Sequence, residues 1–226
     1  FDAWTRFYKQ DENSPNALVS YYTKGSLVAA GLDLAIRQAT GDTHSLDDVM
    51  RLMWERYGRD FYRGKPVGIE EDAMAELILE ATGFDASDYL ARHAYGREDV
   101  PLAELLAPHG ITLSWKLAKN ELGLDARLRS SQNQCSIATV YEDGVAHRAG
   151  LSAGDVIVAI AGLRVQDEKS LQSILNRHRA GDRLPIHVFR RDELRQFELE
   201  LVEPAATDCE LQRVTNGESD DVHGHE

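Results

Sequence analysis

Apolar positions in the first half of the chain recur at helical spacing. Over 46–57 they stand at i, i+3, i+4, i+7, i+8 and i+11, the period of a helix with one buried face. Ser45 precedes this run and Asp48 stands three residues after it, which predicts a capping box. The run over 27–36 is apolar nearly all round, which predicts a buried helix that ends at Gly41.

Three more helical segments follow, and we expect no sheet before residue 110. The first covers 69–81 and is closed by Gly83, because glycine tolerates the left-handed backbone that ends many helices. Shorter helices are predicted at 86–94 and 101–107.

The periodicity changes after Gly110. Apolar residues alternate with polar ones over 111–117, which predicts a strand. One helix, over 168–179, interrupts a series of further predicted strands at 124–129, 135–141, 155–160, 184–190 and 195–202. The fold class is therefore α+β, with a boundary at about 110–120.

We divide the 226 residues into four parts. A helical region covers 1–110, a connecting strand 111–119, and a mostly β domain 120–203. The remainder, 204–226, has few large apolar residues and no period. Such a segment buries too little surface to offset the entropy of ordering, so we predict a flexible acidic tail.

Charge and composition exclude several classes of protein. The formal net charge is −13, which argues against a nucleic-acid partner, because phosphate contacts need clustered Lys and Arg. No apolar run is long enough to span a membrane. Two cysteines make no disulfide framework, which favours a cytoplasmic protein, although a pairing of Cys135 with Cys209 stays open. The chain opens at Phe1 without a signal segment, so we interpret it as a fragment of a longer protein.

The most specific motif lies over 146–162, AHRAGLSAGDVIVAIAG. Gly150 and Gly154 allow backbone angles that a Cβ atom would oppose, and Asp155 can accept hydrogen bonds from turn amides. This stretch resembles the core motif of bacterial PDZ domains. The resemblance covers roughly 120–203 and implies a partly open β-barrel that binds peptides by strand addition.

The PDZ resemblance also implies where a peptide would bind. Leu122-Gly123-Leu124 matches the loop whose amides receive a C-terminal carboxylate, and 124–129 would be the strand that pairs with the peptide. Aligning the helix by its Gly181 end places three residues toward the groove, namely Ser170, Ile174 and Arg177.

This alignment assigns Leu171, Leu175 and His178 to the core, and the register could shift by one residue. Arg177 stands where many PDZ grooves are apolar, which argues against a preference for a large hydrophobic last residue. An unused groove, or one filled by a neighbouring segment of the parent protein, is the alternative.

A second motif precedes the first long helix, SYYTKGSLVAA at 20–30. It resembles the segment that follows the zinc site in the glycyl aminopeptidase family of metallopeptidases, some of which carry a PDZ domain after the helical part. The resemblance extends over most of 1–203. It implies a bacterial zinc-dependent aminopeptidase that releases small N-terminal residues such as glycine.

The zinc motif of that family is absent from this sequence. The family's ligands come from His-Glu-x-x-His and a downstream Glu, and none of the eight histidines here forms a His-x-x-x-His pair. We therefore assign no metal ligand, place the zinc of the parent protein before Phe1, and expect this chain to be inactive alone. Its partners would be that upstream zinc-binding region and, through the PDZ groove, peptide or protein C-termini.

One catalytic residue of the family has a counterpart here, Tyr22. The resemblance implies that its hydroxyl donates to the oxyanion of the tetrahedral intermediate. A phenol is a neutral donor up to a pH of about 10, which suits this role. The alternatives are a packed aromatic at a helix start, and Tyr21 if the register slips. Lys24 receives no catalytic role, but could hold a carboxylate or a helix end.

Two weaker candidates and a competing class remain. Asp33 and Arg37 are spaced for a local ion pair. The histidines over 223–226 would bind metal only adventitiously. The competing hypothesis is a non-enzymatic scaffold, a helical adaptor with a peptide-binding PDZ domain whose parent never bound zinc.

Overall fold

A computed structural model of the chain describes residues 2–64, 66–117 and 121–214. The chain divides into two compact units, and neither is continuous in sequence. One unit combines 1–20 with 116–208, and the other combines 21–115 with 209–226. The first 20 residues, which we predicted to belong to the helical region, therefore cluster with the β domain.

The described residues of the helical unit form five α-helices and most of a pair of strands. The helices are α3 (Tyr21–Thr40), α4 (Leu46–Met53), α5 (Met74–Thr82), α6 (Ser87–Tyr89) and α7 (Leu102–Leu106). Two of them continue into π-helical turns, α4 over Trp54–Gly58 and α6 over Leu90–Ala94, and a 3-10 turn over Ala107–His109 follows α7.

Two of the predicted helix boundaries carry the expected capping residues. The predicted capping box is present, and Ser45 N donates to Asp48 Oδ2 over 2.9 Å. Gly83 closes α5 in the left-handed region, with φ 73°. In contrast, α5 begins at Met74 instead of residue 69, and the helical period breaks at Trp54, where the π-turn inserts an extra residue.

The core of the helical unit lies between α3, α4, α5 and α6. Its buried side chains are Leu32, Ile36, Val49, Ile78, Ala86, Tyr89 and Leu90. The prediction that 27–36 is buried all round is wrong, because only one face of α3 packs against this core. Leu27, on another face, is 41% exposed.

The larger parts of two paired strands also lie in this unit, β1 (Ile111–Leu117) and β8 (Ala206–Arg213). Val214 N extends the pairing by donating to Gly110 O over 2.7 Å. The prediction of a flexible tail is therefore wrong over 206–213. This segment is polar and exposed, and backbone pairing does not require apolar side chains. Residues 215–226, with the histidines of 223–226, lie outside the described part.

The second unit is built on an antiparallel sheet ordered β2-β3-β4-β6-β7, with β5 paired to β4. The helices of this unit are α1 (Asp2–Tyr8), α2 (Ser14–Ala17), α8 (Val145–Arg148) and α9 (Glu168–Leu175). Its strands are β2 (Ala126–Ser131), β3 (Gln134–Val140), β4 (Val156–Ile160), β5 (Leu163–Arg164), β6 (Arg183–Arg190) and β7 (Glu193–Glu200). Among the described strands β2 and β7 are the two edges, so the sheet is open and not closed into a barrel.

The core of this unit collects the apolar side chains of every central strand and of α9. Its fully buried members include Cys135, Ile137, Val145, Ile157, Ile160, Leu175, Ile186, Val188 and Leu199. Cys135 is the buried hydrophobe that its place in a strand predicted, whereas Cys209 is exposed, and both are free thiols.

Asn16 explains why the first residues join the β domain. Its side-chain Nδ2 donates to Val140 O over 2.8 Å, and its Oδ1 accepts from Glu142 N over 3.0 Å. One amide side chain thus bonds two backbone groups at the end of β3, as a neighbouring strand would. A cavity of about 370 Å³ lies beside this contact, lined by parts of 12–17 and 140–153.

Candidate functional site

The edge strand β2 has one paired side and one open side. It pairs with β3 through all six of its residues, with an irregularity between Arg127 and Leu128. Ala126 and Leu128 pack against the core, while Arg127 and Arg129 are exposed. The unpaired backbone groups of such an edge can hydrogen-bond to an added strand.

The Leu122-Gly123-Leu124 loop leads directly into β2. Leu124 is buried, and its carbonyl accepts from Ala146 N over 2.8 Å. Asp125 holds the turn in the left-handed region at φ 51°, and its carboxylate accepts from Val145 N over 3.0 Å. The loop is therefore fixed at its β2 end by contacts to α8, as a preformed binding loop requires.

Helix α9 begins at a capping box formed by Asp167 and Ser170, whereas we predicted that Ser170 faces the peptide groove. Ser170 N donates to Asp167 Oδ1 over 2.8 Å, and the Ser170 hydroxyl donates to Asp167 O over 2.8 Å. These hydrogen bonds, chiefly the one from the Ser170 backbone, lower the pKa of the Asp167 carboxyl group. The hydroxyl of Ser170 thus stabilises the helix start.

Two hydrogen bonds join α9 to the loop and to β2. Gln172 Nε2 donates to Leu122 O over 2.9 Å, and Glu168 N donates to Ser130 Oγ over 3.2 Å. They lie at opposite ends of the edge strand. The stretch between them is the space that an added peptide would occupy, bounded by α9 on one side and β2 on the other.

The predicted split between groove and core residues of α9 differs from the contacts. Ile174, assigned to the groove, is buried at 4% exposure in the same core cluster as Leu171 and Leu175. Arg177 is exposed and lies beyond the helix, which ends at Leu175 instead of residue 179. The alignment counted back from Gly181 through a segment that is not helical, which explains the error.

The contacts to the loop and to β2 come from residues that the sequence did not single out. Gln172 and Glu168 are four residues apart and so share a face of α9. His178, assigned to the core, is half-buried and lies 3.4 Å from Asp182. Polar residues on a short helix carry no periodic signal that distinguishes a groove from solvent. The peptide-binding role of all these residues stays a prediction.

Tyr22 lies in the other unit, in the first turn of α3. Its side chain is 61% exposed, and its ring centroid is 4.4 Å from that of Tyr21, which is half-buried. A carboxylate partner for Lys24 is present, because Lys24 Nζ lies 2.7 Å from Asp99 Oδ1. That hydrogen bond lowers the pKa of the Asp99 carboxyl group. Lys24 therefore ties the start of α3 to the segment before α7.

The predicted ion pair on the same helix is also present. Arg37 Nε donates to Asp33 Oδ2 over 2.7 Å, and Leu46 N donates to the other carboxylate oxygen over 2.8 Å. Asp33 thus links α3 to the start of α4, and its role is structural.

The described residues do not fit a zinc ion. In 2–64, 66–117 and 121–214, no three His, Cys, Asp or Glu side chains group closely enough to hold a metal. No helix in these same ranges is long and apolar enough to cross a membrane.

Two segments of the chain match known protein families. Residues 121–201 match the PDZ domain family, and residues 1–28 match the M61 glycyl aminopeptidase family. The crystal structure of an aminopeptidase N family protein from Idiomarina loihiensis is 36% identical, with a TM-score of 0.83. That match covers 95% of this chain and 38% of the other chain.

A curated relative adds a shorter match. The serine protease Do-like HtrA of Lactobacillus helveticus is 42% identical over 59 residues, which are 26% of this chain and 14% of that protein. The chain thus spans well under half the length of either relative.

The open sheet with its edge strand beside α9 is a PDZ domain, as the match over 121–201 shows. The first 28 residues match the M61 glycyl aminopeptidase family, and 95% of the chain is similar in structure to the aminopeptidase N family protein.

Proposed function

We propose that this chain is the C-terminal part of a zinc-dependent aminopeptidase that releases small N-terminal residues such as glycine. The observation that carries the proposal is the combination of an M61 match and a PDZ domain in one chain, which aligns over 95% of its length with an aminopeptidase N family structure. Its PDZ domain would bind peptide C-termini or another segment of the same protein.

Tyr22 is the residue that we propose for catalysis. It lies within the 1–28 match, and 61% of its side chain is exposed at the start of α3. Its hydroxyl would donate to the oxyanion that develops on the substrate carbonyl. Because this charge exists only in the transition state, the interaction would raise the rate by about 10²–10³.

The zinc ion would be held by residues outside this chain. The described residues offer no ligand set for this ion. We propose that this chain alone is inactive. Tyr22 and Leu27, which are both exposed on α3, would pack against the zinc-binding region, since exposed apolar side chains suit a protein contact better than solvent.

The test uses the full-length protein. Zinc content and the release of glycine from a short peptide are measured for the wild type and for Tyr22→Phe, with Tyr62→Phe as the control. Tyr62 is 96% exposed in the same unit, so its hydroxyl should not affect turnover. We expect bound zinc, and a large loss of kcat only in Tyr22→Phe.

Two results would contradict this proposal in different ways. Zinc and turnover with a harmless Tyr22→Phe would remove Tyr22 from the mechanism and leave the enzyme class standing. The absence of both zinc and turnover would favour the scaffold with a peptide-binding PDZ domain.

Peptide binding is tested separately on the present chain with a library of free C-terminal peptides. Saturable binding should depend on the free carboxylate, so peptides with an amidated C-terminus should not bind. Gly123→Pro removes one loop amide and should weaken binding. If the library shows no saturable binding, a peptide-binding groove is ruled out.

A further inference from the structure

The open edge of β2 carries two arginines on its outer face. Its six residues span about 20 Å at ~3.3 Å per residue. Arg127 and Arg129 are exposed, whereas Ala126 and Leu128 pack against the core. This burial pattern places both arginines on the outer face, although the ladder is irregular between Arg127 and Leu128. In the described part of the chain, neither guanidinium lies within ion-pair distance of a carboxylate.

The neighbouring strand supplies no counter-charge for these arginines. Arg129 is opposite Ser136, and Arg127 is opposite Thr139, both uncharged. Acidic residues lie at both ends of β2. Asp125 precedes the strand, where its carboxylate already accepts from Val145 N, and Asp167 and Glu168 lie beside Ser130 at the far end. Arg127 and Arg129 are the charged residues within the strand itself.

A peptide added to this edge would meet the arginines at defined positions. If its carboxylate lies at the Leu122-Gly123-Leu124 loop, its preceding residues run antiparallel along β2. Alternate side chains then face α9 and the core, and the others stand on the outer face. Directly opposite side chains in an antiparallel pair have Cβ atoms about 4.5–5.5 Å apart, and opposite charges there are favourable.

We propose that the PDZ domain selects C-terminal peptides with acidic side chains at the second and fourth positions from the end. These are the positions that share the outer face with Arg127 and Arg129. An acidic residue further from the C-terminus would lie near Asp167 and Glu168 and would not increase the affinity. This inference rests on the peptide-binding function proposed above, and names the chemistry of its ligand.

The probes are fluorescein-labelled decapeptides of the form Gly-Ser-Gly-Ser-Gly-Ser-X-Ala-X-Y. X is Asp, Ala or Lys, and the last residue Y is Val, Ala or Phe, because the preferred terminal residue is unknown. Binding is measured by fluorescence anisotropy in low and high salt. The proteins are the wild type, Arg127→Gln, Arg129→Gln, the double variant, and Arg164→Gln, a matched control on β5, which does not pair with β2.

We expect the Asp peptides to bind about fivefold more tightly than the Ala peptides with the same last residue, and the Lys peptides to bind more weakly. The preference should shrink in each single variant, vanish in the double variant, and survive in Arg164→Gln. High salt should also reduce it, because both arginines are exposed.

The possible results distinguish a failure of the acidic preference from a failure of peptide binding itself. Equal binding of the Asp, Ala and Lys peptides, lost on amidation, would overturn the acidic preference and leave the groove standing. A preference that persists in the double variant would overturn the role of the two arginines. Failure of every peptide to bind would overturn both the groove and this inference.

Discussion

Arg190 and Asp155 form a two-pronged ion pair inside the PDZ domain. Arg190 Nε lies 2.8 Å from Asp155 Oδ1, and Nη2 lies 2.7 Å from Oδ2. The Asp155 carboxylate is fully buried and also accepts from Ser152 N over 2.9 Å. Arg190 itself bonds to Gly150 O and lies 4.9 Å above the ring centre of Phe197. The pair thus joins the glycine turn of the PDZ motif to the end of β6.

Removing Arg190 should destabilise this unit strongly. Arg190→Ala leaves a buried carboxylate without its counter-charge, which costs about 3 kcal/mol in the free energy of unfolding. Arg195→Ala is the control, because its ion pair with Glu193 is exposed and is worth about 0–1 kcal/mol. The measurement is hydrogen exchange of the amides in β4 and β6, and equal losses in the two variants would contradict the prediction.

Gly31 should resist replacement although it lies inside a helix. A Cβ atom there would overlap the Val100 side chain and lie 2.5 Å from the Tyr89 hydroxyl, which itself donates to Val28 O. We therefore expect Gly31→Ala to lower the stability of the helical unit by about 1–3 kcal/mol, despite the better helix propensity of alanine.

The same helix supplies the control for that variant. Gly25 has nothing within 4 Å of an added Cβ atom, so Gly25→Ala should raise stability by up to about 1 kcal/mol. Urea unfolding followed by circular dichroism at the helical signal gives both values. A stabilised Gly31→Ala would show that Val100 and Tyr89 move aside without cost.

Asp167 should make the PDZ domain sensitive to acid. Its pKa is lowered in the folded protein by the hydrogen bond from the Ser170 backbone. A carboxyl group of this kind contributes stability above its unfolded pKa of about 3.9, and this contribution is lost as the pH falls through the folded pKa. Asp167→Asn keeps a capping oxygen but removes the titration, so its stability should fall less between pH 5 and the acid limit.

A second variant with the same change of charge tests whether the Asp167 cap causes the acid sensitivity. Asp192→Asn removes one carboxylate from the exposed turn between β6 and β7, where residue 192 has φ 65°. Thermal unfolding of both variants across the acid range gives the comparison. If Asp192→Asn flattens the profile as much as Asp167→Asn, net charge and not the cap governs the effect.

The two thiols should differ sharply in reactivity. Burial raises the pKa of the Cys135 thiol, so little reactive thiolate is present at pH 8, whereas Cys209 is exposed. A chromogenic disulfide reagent should modify one thiol quickly in the native protein and the second only after denaturation. Cys209→Ser should abolish the fast phase, and a fast phase that survives would place Cys135 at the surface.

The sequence predicted elements best where side chains alternate or repeat. Strand β1 was predicted at its observed bounds, and the strands of the PDZ domain were predicted to within about two residues, because their apolar positions are buried at period two. Strands β5 and β8 were missed, since one has only two residues and the other has no apolar face. The π-turn at Trp54 was missed because it keeps the apolar residues of the helix and changes only their angle.

The sequence predicted the location of the candidate site better than the residues of α9 that border it. The loop at 122–124 was predicted from its Leu-Gly-Leu motif, and the strand after it has alternating buried and exposed positions. The register of α9 was counted back from Gly181, although the helix stops at Leu175 and the next turn is closed by the Asn176 and Arg177 amides. The i, i+3, i+4 spacing of Leu171, Ile174 and Leu175 indicates the buried face of this helix. The partnership of 1–20 with the PDZ domain depends on Asn16, whose single amide side chain leaves no periodic trace in the sequence.

That partnership makes residues 21–115, the larger part of the helical unit, an insertion in the sequence of the PDZ-containing unit. The backbone passes between the two units at 20–21, at 115–116 and again at 208–209. A single proteolytic cut at any one of these crossings therefore leaves the units covalently joined through another. A PDZ domain excised as 116–208 would also lose Asn16, and with it the two hydrogen bonds that cover the end of β3.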